Sequence, residues 1–410
     1  MTDDLSPRTI TEDEYRAVHR LVFRAFFTTP TDELAALDRP VLELDRTHAV
    51  FADGAPVATG TIQTRELSIP GGTVQAAHVT GVAVAPTYRR RGLLGKIMQA
   101  QFAAAAAAGE PVAALWASEG AIYGRYGYGP ATWSVRYEAD NREVSLAGPA
   151  GVGVPIREVE PLEGREAFAA VLDRARQGQP GLSGRPRALW ERRLVNDPAD
   201  RQAAAELQAV LAGPPGDPVG YALWRPFGNW GPAGAEGIVD VIELLATTLD
   251  GYAALWRFLL TMDLTRQVRY GVAGPGEPLP HLVADPRRLA ARLGDGLWIR
   301  LIDLPAALAA RRYAAPVDAV LEVTDQRIPA NAGRWRLTAA GPDAPARCAA
   351  TDAPADLTMD VRELGAAYLG GTSLGTLAAA GRVVEHRPGG LAAVATAFGW
   401  PVPPISIEVF

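Results

Sequence analysis

The run Arg89-Arg90-Arg91-Gly92-Leu93-Leu94-Gly95 sets three positive side chains and two glycines between the apolar run Val79–Ala85 and the alanine-rich stretch Phe102–Gly109. A diphosphate needs several donors converging on one spot. The start of a helix supplies unpaired backbone N–H groups and the positive end of a dipole. Arginines add charge-assisted donors, and glycine lets the backbone approach without a Cβ in the way. All three features meet in this loop, which predicts a site for a diphosphate-bearing cofactor. In the preceding strand, Val82 and Val84 flank Ala83 and offer apolar contact. Their backbone groups suit the amides of a pantetheine arm added as an extra strand. A solvated surface turn has the same composition, so the loop alone leaves both readings open.

A second chemical constellation follows in Ser118–Thr132, SEGAIYGRYGYGPAT. Tyr123, Tyr126 and Tyr128 alternate with Gly124, Gly127 and Gly129, a tight path able to aim any of the three hydroxyls. A tyrosine hydroxyl, with a pKa near 10, is a reasonable general acid, and each of the three could serve as one. Spacing does not choose among them. His19 and His78 read as structural, since the five histidines show no metal-ligand spacing. The single cysteine, Cys348, excludes an internal disulfide and a cysteine-built zinc site.

The elements that must position these residues form three sections, drawn at 1–150, 151–300 and 301–410. In the first, Thr11-Glu12-Asp13-Glu14 has capping-box spacing ahead of a helical stripe from Tyr15 to Phe26. Strand-like runs follow at Val41–Leu44, Ala49–Ala52 and Val57–Thr64, with Asp53-Gly54 as a hairpin turn. Val79–Ala85 is a buried strand, Gly92–Ala108 a helix and Val112–Trp116 another strand. This α+β order puts the basic loop between a strand and a helix.

A Gly/Pro-rich stretch at 142–155 reads as a linker. The second section repeats the first in outline, with a helix at Gly164–Arg176 and strands near Ala205–Leu211, Pro218–Trp224 and Ile238–Ala246. A helix follows at Thr248–Thr261. Its connector, Thr247-Thr248-Leu249-Asp250-Gly251, carries no arginine, so a duplicated fold would have lost its phosphate site. The third section shows strands at Val317–Val323, Arg334–Ala339 and Ala355–Met359, helices at Val361–Leu369 and Ser373–Ala380, and a proline-rich tail from Pro401 to Phe410.

Composition narrows the classes. At 410 residues, 48% hydrophobic and 21% charged, the chain reads as a globular protein of more than one domain. A formal charge of −6 argues against a nucleic-acid binder. The N-terminus lacks the basic start and apolar run of a signal peptide, and the alanine run is too short to span a bilayer. Cytoplasmic residence without membrane attachment is the expectation.

Together, VAVAPTYRRRGLL and SEGAIYGRYGYGPAT resemble motifs of the GCN5-related N-acetyltransferases (GNAT). Arg89 and Gly92 fit the loop pattern Gln/Arg-x-x-Gly-x-Gly/Ala, whereas Leu94 departs from it. RRRGLL and the tyrosine segment are similar to those of one subgroup, the enhanced intracellular survival (Eis) proteins. The resemblance implies two tandem GNAT domains, the second without a cofactor site, followed by a sterol-carrier-protein-like domain. It also implies homohexamers that acetylate amines of aminoglycoside-like polyamines or lysine side chains, with acetyl-CoA as donor and no metal. By motif position, Val82, Ala83, Val84 and Arg89, Arg90, Arg91, Gly92, Leu93, Leu94, Gly95 would hold the donor. Ser118 and Glu119 would line its thioester end, Tyr123 would be the general acid and the α-carboxylate of Phe410 the base. That base requires Ile405–Phe410 to thread back into the first domain as a buried strand. Asp32, Glu33 and Glu408 are candidates for holding a cationic acceptor. The competing class is a non-catalytic acyl-CoA-binding, lipid-carrier or regulatory protein.

Overall fold

The computed structural model describes residues 5–196, 204–232 and 234–410; the first four residues of the N-terminal stretch read above lie outside it. Contacts divide the chain into two compact units. One runs to Thr132 and resumes over Leu297–Pro401 with Phe410, and the other holds Trp133–Gly296 with Val402–Val409.

In the first unit the capping box works as its spacing predicts. Glu14 accepts a 2.9 Å hydrogen bond from the Thr11 N–H at the start of the helix Glu12–Ala25. Asp53 and Gly54, at φ +49° and +75°, make the tight turn between Thr47–Ala52 and Ala55–Ile69. The run Val41–Leu44, expected as a strand, instead falls across two short 3-10 turns, Arg39–Val41 and Leu44–Arg46. Pro40 presets a turn φ there and offers no N–H to a ladder.

The described residues of this unit form a seven-stranded sheet in the order Arg8–Thr9, Thr47–Ala52, Ala55–Ile69, Gly72–Val84, Val112–Trp116, Leu297–Leu301, Gly129–Pro130. Gly72–Val84 and Val112–Trp116 are parallel and pair only from Ala76↔Val112 to His78↔Ala114. Beyond that point they diverge. The helix Leu93–Ala107 connects them over the face that carries Ala77, Val79, Ala113 and Leu115. It packs close to the sheet because Gly60 makes room; a Cβ there would lie 2.9 Å from Ile97 Cγ2.

The opposite face carries Leu67, Ile69, Val74, Ala76, Val112 and Ala114 and shares one apolar core with Leu321, Met359, Leu364 and Phe398 of the third section. Each of the larger aliphatic and aromatic side chains among them contributes roughly 1.5–3 kcal/mol on burial. The third section, a five-stranded sheet with the helices Leu304–Ala310, Val361–Ala367, Leu374–Ala379 and Gly390–Phe398, is therefore a structural part of the first.

The second unit repeats the plan. Among the described residues its sheet runs Arg292–Asp295, Trp133–Asp140, Thr265–Ala273, Gly237–Ala246, Gly220–Phe227, Gln208–Ala212, Ile156–Glu158, with a parallel pairing between Gly237–Ala246 and Thr265–Ala273. The two sheets exchange a strand in sequence: Trp133–Asp140 completes the second, and Leu297–Leu301 the first. Trp224 and Trp256 are core residues, as expected, while Trp230 on a two-residue strand is exposed. No helix among the described residues is long and apolar enough to cross a membrane.

One buried cation ties the third section together. The fully buried Arg311 donates to the carbonyls of Ala367 (3.2 Å), Tyr368 (2.7 Å) and Phe398 (2.8 Å), at the C-terminal ends of two helices. Burial pulls its pKa below the usual arginine value. Arg311→Met should leave those three carbonyls without a donor and destabilise the unit by about 3 kcal/mol, read as a lower urea midpoint.

Candidate active site

Where the two parallel strands of the first sheet diverge, a cleft of ≈ 750 Å³ opens on the side of the helix Leu93–Ala107. Its wall begins with Val82, Ala83 and Val84. The strand register explains how they are aimed. Thr61 pairs with Thr80 and Thr59 with Ala83, so Gly81 and Val82 together oppose Gly60. This is a β-bulge, and Gly81 sits at φ +60°. A one-residue insertion reverses the alternation of faces. Ala77 and Val79 point to the helix side before the bulge, and Val82 and Val84 do so after it. Sequence reading passed over Gly81, although a lone glycine inside a strand-like run is the signal for such a bulge.

The loop comes next. Arg90 (φ +62°) and Gly92 (φ +78°) are both left-handed, which curls the backbone before Gly92 caps the helix and its carbonyl accepts from the Lys96 N–H at 3.2 Å. Nothing lies within 4 Å of where a Gly92 Cβ would be, so the glycine serves its backbone angle and leaves the approach open. Arg89, Arg90, Gly92, Leu93 and Leu94 line the cleft. Arg91 does not; it stacks on Tyr88 at 4.7 Å. Among the described residues no carboxylate pairs with Arg89, Arg90 or Arg91, so their charge stays available to an anion. Gly95 faces Tyr126, whose hydroxyl would be 3.9 Å from a Cβ there.

At the far end stand Ser118, Glu119 and Tyr123. Tyr123 ends the short helix Gly120–Tyr123 and is 6% exposed. Burial first, and the nearby Glu119 charge second, push its hydroxyl up to about 12, against the hydrogen bond with Ser118. Tyr126 lines the cleft as well. Tyr128 does not: it is fully buried with its hydroxyl unpartnered by protein, and its ring meets that of Tyr123 edge-on at 6.0 Å.

Phe410 lies outside the cleft lining. Its ring sits 4.9 Å from that of His78 and 5.6 Å from the Arg65 guanidinium, packed against the core shared with the third section. Register puts Gln63 opposite His78 and Arg65 opposite Ala76, on the sheet face away from the helix. The residues before it differ from expectation. Val402–Val409 group with the second unit and form no strand; Ile405 and Ile407 pack into that unit's apolar core, and the Ile405 N–H donates to Pro180 O at 3.0 Å. Two acidic candidates are already engaged. Asp32 pairs with Arg16, and Glu408 with Arg185 at 3.0 Å. His19 pairs with Asp38 at 2.9 Å, and burial pushes the Cys348 thiol up to about 12.

The residues present thus suit a long donor: arginines and a helix N-terminus for an anionic end, valines along the arm, and a protonated phenol at the reacting end. A GNAT fold, a cleft at the strand divergence and a buried tyrosine beside it define an N-acetyltransferase. Comparison with known proteins agrees. Residues 6–131 and 181–301 match acetyltransferase (GNAT) domain families, and residues 304–406 a sterol carrier protein domain. The chain is 43% identical to an uncharacterised N-acetyltransferase of Streptomyces coelicolor, covering 98% of each. It is 38% identical to N-acetyltransferase Eis of Mycobacterium tuberculosis, covering 91% of each. Among solved structures, Eis1 from Mycobacterium abscessus superposes with a TM-score of 0.83 at 31% identity, over 99% of this chain and 100% of that one. The protein belongs to the Eis family of GCN5-related N-acetyltransferases.

The bulge is the feature on which the cleft wall turns. Gly81→Val would force a β-branched side chain to φ +60°, costing roughly 1–2 kcal/mol or straightening the bulge. Straightening would turn Val82 and Val84 away from the cleft. The expected outcome is a raised KM for the acetyl donor at unchanged acceptor KM, measured by thiol release.

Proposed function

We propose that the protein transfers an acetyl group directly from acetyl-CoA to an amine of a cationic small molecule, aminoglycoside-like or polyamine, or of a lysine side chain. Acetyl-CoA, when bound, supplies an activated thioester. The observation that carries this reading is the placement of Tyr123 in the same cleft as the arginine loop. Arg89, Arg90 and the N–H groups of Leu93, Leu94 and Gly95 hold the diphosphate, with Arg91 bracing the loop through Tyr88. Val82, Ala83 and Val84 line the arm, and Ser118 and Glu119 border the thioester.

Tyr123 protonates the departing sulfur. With its pKa pushed up to about 12, the hydroxyl is protonated throughout the neutral range and needs only a partner whose basicity rises as the C–S bond breaks. The α-carboxylate of Phe410 takes the proton from the acceptor ammonium. Its ring, held between Arg65 and His78, lies at the last paired position of the diverging strands. The family resemblance further supports a cytoplasmic homohexamer.

Tyr123→Phe should lower kcat about a hundredfold or more, while Tyr126→Phe and Tyr128→Phe lose less. Equal losses in all three would reassign the segment to packing. Since a raised pKa keeps the acid protonated below it, kcat should rise with pH as the terminal base loses its proton, then stay level to about pH 10. A pH–rate profile checks this. Extending the chain beyond Phe410 by a single glycine moves the carboxylate by about 3.5 Å. Turnover should then fall by about tenfold or more with acetyl-CoA affinity unchanged in calorimetry, and unchanged turnover would exclude the terminal base.

A further inference from the structure

The segment that carries the tyrosines is gripped from outside its own domain. A Cβ on Gly129 would lie 2.1 Å from Arg362 O and 2.4 Å from Ala366 N, so this glycine lets the segment rest directly on the helix Val361–Ala367. Thr372 Oγ1 donates to Pro130 O at 3.2 Å. Gly127, at φ +83°, lies against the guanidinium of buried Arg300, 2.5 Å from Nη1 if it carried a Cβ. Arg300 Nη2 in turn donates to both oxygens of Asp325 at 2.8 and 2.6 Å.

Asp325 is the hub of this arrangement. Its oxygens also accept from Asn331 Nδ2 (3.1 Å) and from the backbone N–H groups of Arg327 (2.9 Å) and Ile328 (3.0 Å). The turn after the strand Val317–Thr324 is thereby fixed, and one side chain leaves it toward the tyrosines. The Arg327 guanidinium lies 5.0 Å from the centroid of the Tyr126 ring, with Nε 3.4 Å from Arg125 O. Tyr126 lines the cleft and leans on the first turn of the helix Leu93–Ala107 at Gly95.

We propose that Arg327, an exposed residue of the sterol-carrier-like section, is a positioning residue for the acetyl-donor site. It holds Tyr126 between the helix that receives the diphosphate and the turn that carries Tyr123. The third section thereby acts on acetyl transfer through a cation over an aromatic face. Arg327 touches neither substrate in this account; it acts through Tyr126. The proposal rests on the reading of the cleft as the acetyl-CoA site.

The test compares wild type, Arg327→Ala, Arg327→Lys and the exposed control Arg336→Ala, using the full-length protein. Readouts are calorimetric acetyl-CoA binding, steady-state kinetics for both substrates and thermal unfolding. Arg327→Ala should lower kcat/KM for acetyl-CoA by about three- to tenfold, the range expected for losing a cation over an aromatic ring. The acceptor KM and the unfolding temperature should not change. Arg327→Lys, which keeps a cation over the ring, should recover most of the loss, and Arg336→Ala should match wild type. Normal kinetics in Arg327→Ala, or a loss that lysine does not restore, would remove the positioning role while leaving the donor site standing. Failure of wild type to bind acetyl-CoA would instead overturn the reading of the cleft and the proposal with it.

Discussion

Two parallel strands of the first sheet keep their ladder for only three residue pairs, Ala76–His78 with Val112–Ala114, and then part. Backbone groups beyond the last pair lose their partners, and a buried strand cannot leave them idle without cost. The bulge at Gly81 is the local response. It turns the strand and presents Val82–Val84 to the opening rather than to a neighbouring ladder. The helix that follows must begin at the same opening, because it connects the same two strands. The arginine loop, Val82–Val84 and Tyr123 thus come to line one cleft beside this failure of strand pairing.

The second unit makes the same divergence and puts it to another use. Its parallel ladder stops at Val241↔Tyr270. The connector that follows has no arginine, and Thr248 caps the helix Leu249–Leu260 by accepting from the Gly251 N–H at 3.1 Å. The cleft beside it, ≈ 540 Å³, is lined by Val402, Pro403 and Ile405 of the tail and by the half-buried Glu277. Arg174 lines it too, but donates to Pro218 O. Among its described lining residues, Arg174 is the one arginine or lysine. A charged cluster anchors the tail within this unit: Arg185 bridges buried Glu243 at 2.9 Å and Glu408 at 3.0 Å. Burial alone would raise the pKa of Glu243, and Arg185 with Arg193 holds it below the usual carboxylate range instead.

Burial of polar groups separates the residues that build the site from those that line it. Arg300 and Asp325 are almost wholly buried, and each depends on the other's charge. Arg89 and Arg90 are exposed and unpaired. The first pair shapes the tyrosine segment, and the second is open to a ligand. Of the three tyrosines, Tyr128 belongs with the builders, while Tyr123 and Tyr126 reach the cleft.

Local patterns alone decided much of this protein. The capping box at Thr11, the Asp53-Gly54 turn, the strand–loop–helix order around Arg89 and the loss of arginines in the second repeat all stand in contiguous residues. Each is governed by interactions within a few positions, so the sequence could be read directly. Val41–Leu44 misled because its apolar content was strand-like while Pro40 imposed a turn. The exchange of Trp133–Asp140 and Leu297–Leu301 between sheets was invisible, since pairing partners lie far apart in the chain. The same holds for the choice among the tyrosines, the capture of Glu408 by Arg185 and the grip of Asp325 and Arg327 on the tyrosine segment. Those depend on which distant residues come to share a buried volume. Residue order records the chemistry available, and only packing determines which groups lose water and which groups face one another.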